Sequence, residues 1–221
     1  MADVVFVHGL LNAPELYASL LDALAVQWEV HAPVAPGHIE PLGHPFKLRE
    51  WVDALADELE AHKRPALIGH SAGGHVAMLA AAQSAAHVAG VVTLDSPPRT
   101  RRDLMSGDRA KQYLAEVLRD QPHLADVVHY IVRDDLDSIF EGFEEDLLNE
   151  SFEFPILMVG ADPSFGALVT PDLVSAARSK WSDVRSQTVE GFGHLLGVDT
   201  GDVRPVVGHI DTFLREVLND V

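Results

Sequence analysis

A serine bracketed by glycines in the middle of the chain constrains the fold more than any other feature. The pentapeptide Gly-His-Ser-Ala-Gly at residues 69–73 follows a short apolar run, residues 66–68, and precedes a small-residue stretch of helical character, residues 77–86. A strand that passes directly into a helix reverses so sharply that a side chain on either flanking position would clash. The pattern therefore predicts a strand–turn–helix unit that holds the Ser71 hydroxyl above the edge of a sheet.

Apolar runs and helical periodicities alternate along most of the chain. Such alternation is typical of a parallel sheet covered by helices on both faces. The clearest amphipathic stripe lies near the end, in residues 203–218, and predicts a closing helix. Thr170 followed by Pro171 predicts a capped helix start. We expect strands near residues 4–7, 28–31, 66–68, 88–94, 155–159 and 184–189.

Two further glycine turns follow the first and last of these strands. His8 and Gly9 come directly after the first, and a Gly-Phe-Gly-His turn ending at His194 comes after the last. With the serine turn, these motifs resemble those of the α/β-hydrolase family, and the resemblance covers nearly the whole chain. It implies a single α/β-hydrolase domain over residues 1–221: a mainly parallel sheet of about six strands flanked by helices, lacking the family's first two strands.

Residues 97–150 interrupt the alternation. They contain charged helical stretches and no convincing strand, and they follow the strand that ends at Asp95. An insertion at this point resembles the helical cap of α/β-hydrolases. We therefore expect a cap at about residues 97–150, which would carry much of the substrate selectivity.

Ser71 is the candidate nucleophile and His194 the candidate base. A serine hydroxyl is a weak nucleophile at neutral pH and needs a base to accept its proton. Imidazole suits this task, because its proton affinity lies near neutrality. The chain has 12 histidines, and the glycine turn after the last strand distinguishes His194 from the others. Capping of the following helix would be a purely structural role for Ser71, but the two flanking glycines favour catalysis.

Two aspartates compete for the role of the acid that orients His194. Asp162 follows the strand at residues 155–159, and the order Ser–Asp–His matches the family. The more common family turn, however, places the acid at the next position, where this chain has Pro163. Asp95 ends the preceding strand, a position that some family members use. Each could instead serve its own turn, Asp162 through an Asx-turn with Ser164. The sequence favours Asp162 only slightly.

Acyl transfer also requires two fixed N–H donors for the negative oxygen that develops. The backbone N–H of Ala72, directly after the nucleophile, is one candidate, and it opens a helix whose dipole favours negative charge. The second donor should come from the turn after the first strand. Leu10 follows the His-Gly pair there, and we expect its backbone N–H to complete the oxyanion hole.

Composition narrows the remaining classes of function. The formal charge of −18 argues against nucleic acid and anionic membrane surfaces as partners. There is no cysteine, no apolar run long enough for a membrane span and no room for a signal peptide before the first strand, so we expect a cytoplasmic protein. His31, His38 and His44 have irregular spacing and no nearby paired carboxylates, which argues against a metal site. No cofactor is implied.

These observations predict a serine hydrolase that acts on a small molecule. Esters, thioesters and lactones of small apolar acids are the expected substrates, cleaved through an acyl-serine intermediate. The resemblance leaves alternatives open on the same fold. These are carbon–carbon bond hydrolysis, cofactor-independent oxygenation, hydroxynitrile lysis and a non-catalytic ligand-binding or receptor role. The substrate and the oligomeric state are not encoded in these motifs.

Overall fold

Among the residues that the structure describes, six parallel strands form one sheet in the order β2-β1-β3-β4-β5-β6. The computed structural model describes residues 1–38, 42, 44, 46–84, 87–99, 115, 119 and 146–218. The strands are β1 (Asp3–Val7), β2 (Glu29–His31), β3 (Ala66–His70), β4 (Gly90–Leu94), β5 (Ile156–Ala161) and β6 (Val184–Val189). The sequence prediction of about six mainly parallel strands is confirmed.

Helices connect the strands and cover the sheet. Those whose bounds lie within the described residues are α1 (Ala18–Ala25), α2 (Leu48–Leu59), α3 (Ala72–Gln83), α4 (Pro171–Lys180) and α5 (Arg204–Leu218), with short 3-10 turns at Pro14–Tyr17, Leu147–Asn149 and Pro163–Phe165. The predicted cap of α4 is present, because the Thr170 hydroxyl accepts a hydrogen bond from Leu173 N at 3.4 Å. Within the described part of the chain, no helix combines the length and the apolar composition that a membrane crossing requires.

The sheet separates two apolar layers. Along β1, Val5 and Val7 pack on the face covered by α2, α3 and α4, whereas Val4 and Phe6 pack on the face covered by α1 and α5. All four are buried, because a parallel sheet with helices on both sides has no solvent-facing surface. The predicted stripe on α5 faces the second layer with these buried side chains: Val206, Ile210, Phe213, Leu214 and Val217.

The predicted cap, residues 97–150, lies almost entirely outside the described residues, but its two ends are described. Leu147 N donates a hydrogen bond to Pro98 O at 3.0 Å. Beside it, the Arg99 guanidinium binds Asp146 through Nη2 at 2.6 Å and Nε at 2.7 Å. The chain thus leaves the sheet after β4 and returns to it at one point, which we call the neck (residues 98–99 and 146–147).

Candidate active site

Ser71 occupies a strained turn between β3 and α3. Its backbone has φ 53° and ψ −125°, a conformation that residues with a side chain rarely adopt. The flanking glycines are required sterically: a Cβ on Gly69 would lie 2.4 Å from Gly73 O, and one on Gly73 would lie 2.2 Å from His8 O. Ser71 N donates to Leu94 O at 2.9 Å, which ties the turn to β4. The glycines thus let the start of α3 lie directly against β1 and β3.

His194 is held by Asp95. The His194 Nδ1 to Asp95 Oδ2 distance is 2.7 Å, and the Asp95 side chain is fully buried at the end of β4. Asp95 also accepts hydrogen bonds from the backbone N–H groups of Ala161 (3.3 Å), Leu168 (3.0 Å) and Val169 (3.1 Å). An ionised carboxylate only accepts hydrogen bonds, so Nδ1 of His194 carries the proton. In the neutral ring, Nε2 is therefore left with the lone pair.

The surroundings of Asp95 keep it ionised. Burial by itself would raise the pKa of Asp95, but the hydrogen bond and charge of His194 and the N–H groups of Leu168 and Val169 outweigh burial and lower it below its usual value. The backbone of Asp95 is also unusual, with φ 42°. Ser71 and Asp95 thus both have a positive φ, which residues with a side chain rarely adopt.

Asp162, which the sequence slightly favoured as the partner of His194, is used elsewhere. Its carboxylate accepts from Ser164 N at 2.8 Å, from Ser164 Oγ at 2.6 Å and from Gly191 N at 2.8 Å. These hydrogen bonds lower the pKa of Asp162. The structure therefore corrects the pairing: His194 contacts Asp95, while Asp162 caps its own turn. The Asx-turn that the sequence had offered as the alternative is the one present.

The turn after β1 presents the backbone of Leu10. The N–H groups on either side are engaged, since Gly9 N donates to Tyr17 Oη at 3.1 Å and Leu11 N donates to His38 Nε2 at 3.3 Å. No hydrogen bond of Leu10 N or Ala72 N is found in the described part of the chain. Both N–H groups are thus available to a bound oxygen, which is the arrangement expected of the predicted oxyanion hole.

Two buried histidines that sequence analysis assigned no role fix this turn. His8 Nδ1 donates to Gly9 O at 2.9 Å, and its Nε2 accepts from Ala35 N at 3.0 Å. His38 Nδ1 donates to Pro36 O at 3.1 Å, leaving Nε2 to accept from Leu11 N. Burial lowers the pKa of His8 to about 4 and that of His38 to about 3, so both rings are neutral near pH 7.

A third buried histidine joins the three turns of the site. His70 Nδ1 lies 2.7 Å from Tyr17 Oη, and its Nε2 lies 2.9 Å from His194 O. A carbonyl oxygen only accepts, so Nε2 carries the proton and Nδ1 accepts from the Tyr17 hydroxyl. Tyr17 in turn accepts from Gly9 N. The roles of Tyr17 and His70 could not be predicted from the sequence, because their partners are distant along the chain and the serine motif leaves position 70 unspecified.

Within the described part of the chain, the hydrogen bonds of His194 are those with Asp95 and, through its carbonyl oxygen, His70. The Ser71 hydroxyl is not among these partners. One cluster of potential metal ligands, Asp3, His31 and His62, lies at the opposite edge of the sheet. The site at the carboxyl edge thus brings together a hydroxyl, an oriented imidazole and two N–H donors, which is the equipment of acyl transfer.

Comparisons with known proteins identify the class. The model of the alpha/beta hydrolase family matches residues 4–217, so the chain belongs to the α/β-hydrolase family and is an enzyme of the hydrolase class. A comparison with curated protein sequences finds no significant match.

Solved structures share the fold at low sequence identity. A thermophilic esterase from Thermogutta terrifontis is 18% identical with a TM-score of 0.73, over 98% of this chain and 90% of that one. MenH from S. aureus is 16% identical with a TM-score of 0.76, over 98% and 94% of the two chains. Naproxen esterase (carboxylesterase NP) from Bacillus subtilis is 16% identical with a TM-score of 0.72, over 96% and 83%. At these identities the likeness establishes the fold alone.

Proposed function

We propose that this hydrolase is a serine hydrolase that cleaves an ester, thioester or lactone of a small apolar substrate through an acyl-serine intermediate. The observation that carries the proposal is the 2.7 Å bond between His194 Nδ1 and buried Asp95. It fixes the tautomer in which Nε2 can accept a proton, at the same sheet edge as the strained Ser71 turn. A ligand-binding or receptor protein has no need of a base oriented in this way.

In the proposed first half-reaction, Ser71 Oγ attacks the substrate carbonyl carbon while His194 Nε2 accepts the serine proton. The carbonyl oxygen becomes an oxyanion, which the N–H groups of Leu10 and Ala72 stabilise. His194 then donates its proton to the leaving group as the bond to the acyl carbon breaks. Asp95 stays ionised throughout and stabilises the imidazolium that forms transiently.

In the second half-reaction, water replaces the leaving group. His194 Nε2 accepts a proton from water as its oxygen attacks the acyl carbon, and the same N–H donors stabilise the second oxyanion. Collapse releases the acid and returns the proton to Ser71. No step requires a metal or an organic cofactor, so we propose a small molecule as the only partner in turnover. The charge of −18 disfavours nucleic acid and anionic membranes, and we propose a cytoplasmic location.

The experiment that tests this function is labelling with a fluorophosphonate, which reacts with activated serines. We expect stoichiometric labelling at Ser71 and hydrolysis of a short p-nitrophenyl ester. Ser71→Ala should abolish labelling and lower the rate by roughly a thousandfold or more. Ser84→Ala, at the other end of α3, is the matched control and should retain both. Labelling that persists in Ser71→Ala would remove this residue from the mechanism.

A second candidate is cofactor-independent oxygenation, in which His194 and an aspartate act as an acid–base pair and Ser71 only positions the substrate. The position of Asp95 at the end of β4 favours it, because the family resemblance associates this position with branches other than the common triad. The complete set of hydroxyl, base and N–H donors supports hydrolysis more directly. Carbon–carbon bond hydrolysis and hydroxynitrile lysis use the same groups and remain alternatives.

A further inference from the structure

A cluster of two imidazoles and a carboxylate lies at the edge of the sheet opposite Ser71. Asp3 begins β1, His31 ends the edge strand β2, and His62 lies in the turn that follows α2. These elements meet there because β1 and β2 are paired in parallel and α2 runs back along the sheet toward the start of the next strand. We propose that Asp3, His31 and His62 form a binding site for a divalent transition-metal ion, with zinc the best match.

The distances suit a shared ion. His62 Nδ1 lies 3.2 Å from Asp3 Oδ2, His31 Nε2 lies 3.9 Å from Asp3 Oδ1, and the three ligand atoms lie within 4.8 Å of one another. The two imidazole rings are 4.4 Å apart between centroids. Ligand atoms on a tetrahedral zinc ion are about 3.4 Å apart, given metal–ligand bonds of about 2.1 Å. Side-chain adjustment of about an ångström would therefore bring all three onto one ion.

The hydrogen-bonding needs of the two imidazoles give a second, independent argument for a bound metal ion. His31 Nε2 is buried and has no hydrogen-bond partner among the described residues. His62 faces carboxylates on both sides, Asp3 at Nδ1 and Glu58 Oε1 at 3.4 Å from Nε2, yet a neutral imidazole carries only one proton. A cation bound to Nδ1 of His62 and Nε2 of His31 would satisfy both atoms. Nε2–H of His62 would then donate to Glu58, which is how metal-bound histidines are commonly oriented.

Doubly protonated His62 between the two carboxylates would be the alternative. That arrangement leaves the buried His31 Nε2 unsatisfied, which costs free energy, whereas the metal uses it. Two imidazoles and one carboxylate form a donor set typical of zinc sites with an open fourth position. The side chains of His31 and Asp3 are 34% and 24% exposed, so water can reach that position.

A metal ion bound at this location would connect three elements of the fold. The three ligands would connect the edge strand β2, which is three residues long, to β1 and to the turn after α2. His31, His38 and His44 were not expected to bind a metal, because their spacing is irregular and no paired carboxylates are nearby in the sequence. The structure separates these histidines: His38 binds the turn after β1, and His31 meets ligands from residues 3 and 62 instead.

Zinc titration of the chelator-treated full chain, without a histidine affinity tag, tests the proposal. We expect one equivalent to bind and the melting temperature to rise by roughly 5–10 °C at a hundredfold excess over Kd. Asp3→Asn, His31→Gln and His62→Gln should each weaken binding by about tenfold or more and thereby reduce that rise by about half or more at the same zinc concentration. His87→Gln, which replaces an exposed histidine, is the matched control and should bind as the parent does.

Cobalt(II) substitution of the unaltered protein provides a readout that does not depend on the folding of any variant. Strong visible absorption typical of four-coordinate cobalt with nitrogen ligands would support the site. A weak, six-coordinate spectrum would overturn it. Equal zinc affinity in the parent and all three ligand variants would also overturn it, because binding would then be adventitious at surface histidines.

Discussion

Tyr17 donates its hydroxyl proton to Nδ1 of His70 across 2.7 Å and thereby links the turn after β1 to the turn that carries His194. Since Gly9 N can only donate and His194 O can only accept, the protons along this chain of hydrogen bonds have a single arrangement. Burial lowers the pKa of His70 to about 3, so the arrangement persists over the whole range in which such an enzyme would work. The candidate oxyanion turn and the candidate base are therefore positioned together.

Tyr17→Phe should lower both stability and kcat. The substitution keeps the ring but leaves Gly9 N–H and His70 Nδ1 without their partner in a buried site, at a cost of about 1–3 kcal/mol for each unpaired group. Urea unfolding and ester hydrolysis measure the two effects, and KM should change less than kcat. Trp28→Phe, which removes the hydrogen bond from Trp28 Nε1 to Asp211, is the matched control. It should lower stability and leave kcat unchanged. Equal kcat for Tyr17→Phe and the parent would contradict a positioning role.

Asp95→Asn and Asp162→Asn should differ sharply in activity. Asparagine at the true partner favours the wrong imidazole tautomer, which costs about four orders of magnitude in kcat in the best-studied serine triad, a different protein. We therefore expect a loss of that order for Asp95→Asn and a loss of no more than a few fold for Asp162→Asn, whose carboxylate serves its own turn. Rates should be compared under conditions in which unfolding curves show both variants to be folded. A larger loss for Asp162→Asn would reverse the assignment.

Stability should decrease as the pH falls from neutral toward 4. Burial lowers the pKa of His75 and His8 to about 4 and that of His38 and His70 to about 3, whereas histidines in the unfolded chain titrate near 6.5. Above about pH 7 neither state binds these protons, so the free energy of unfolding is unaffected. Below 6.5 the unfolded state takes them up first, which lowers the free energy of unfolding by up to about 1.4 kcal/mol per pH unit for each group.

Urea unfolding at about pH 7.5, 6 and 5 measures this loss. His75→Gln removes one of the four groups without touching the candidate active site, and it should reduce the pH slope by about one proton. His87→Gln, at an exposed position, should leave the slope as it is. A free energy of unfolding that stays constant between pH 7.5 and 5 would show that these rings titrate normally and are not held neutral by burial.

Turnover under argon in ¹⁸O-labelled water separates hydrolysis from oxygenation. If Ser71 attacks covalently, the rate should be independent of oxygen, and the acid product should contain one oxygen from water. If His194 instead deprotonates an aromatic substrate that reacts with oxygen, turnover should stop under argon. Mass spectrometry of the product and a parallel reaction in air complete the measurement. Activity that needs oxygen, or that Ser71→Ala retains nearly intact, would exclude the hydrolase mechanism.

The sequence predicted the fold well because its signals are local. The four central strands, β1, β3, β4 and β5, are short buried apolar runs, and α2 and α5 carry an apolar stripe, so these patterns can be seen without knowing the partners. The sharp turn at Ser71 was predicted for the same reason, since its glycines are neighbours in the sequence. Gly73 is required for a second reason that the sequence does not show. It lies against the carbonyl groups at the end of β1, where a side chain would clash.

The acid could not be chosen from the sequence, because both aspartates follow a strand and precede His194. What distinguishes Asp95 is a set of three backbone N–H donors from residues 161, 168 and 169, which only the folded chain brings to its carboxylate. The roles of the buried histidines could not be predicted either, because their partners also come together only in the folded chain. His38 binds a residue 27 positions away, and His70 binds residues 53 and 124 positions away.

At the neck, Arg99 binds Asp146 and Pro98 O accepts a hydrogen bond from Leu147 N. Because these contacts hold the two ends of the intervening segment together, its length can change without moving the ends. Once the two ends are held together, doubling the length of the chain between them adds only about 0.6 kcal/mol of closure entropy. The hydrogen bonds around Asp95 are made to residues that follow the neck, so they do not depend on that length. Insertions or deletions between residues 99 and 146 should therefore leave the pairing of His194 with Asp95 unchanged.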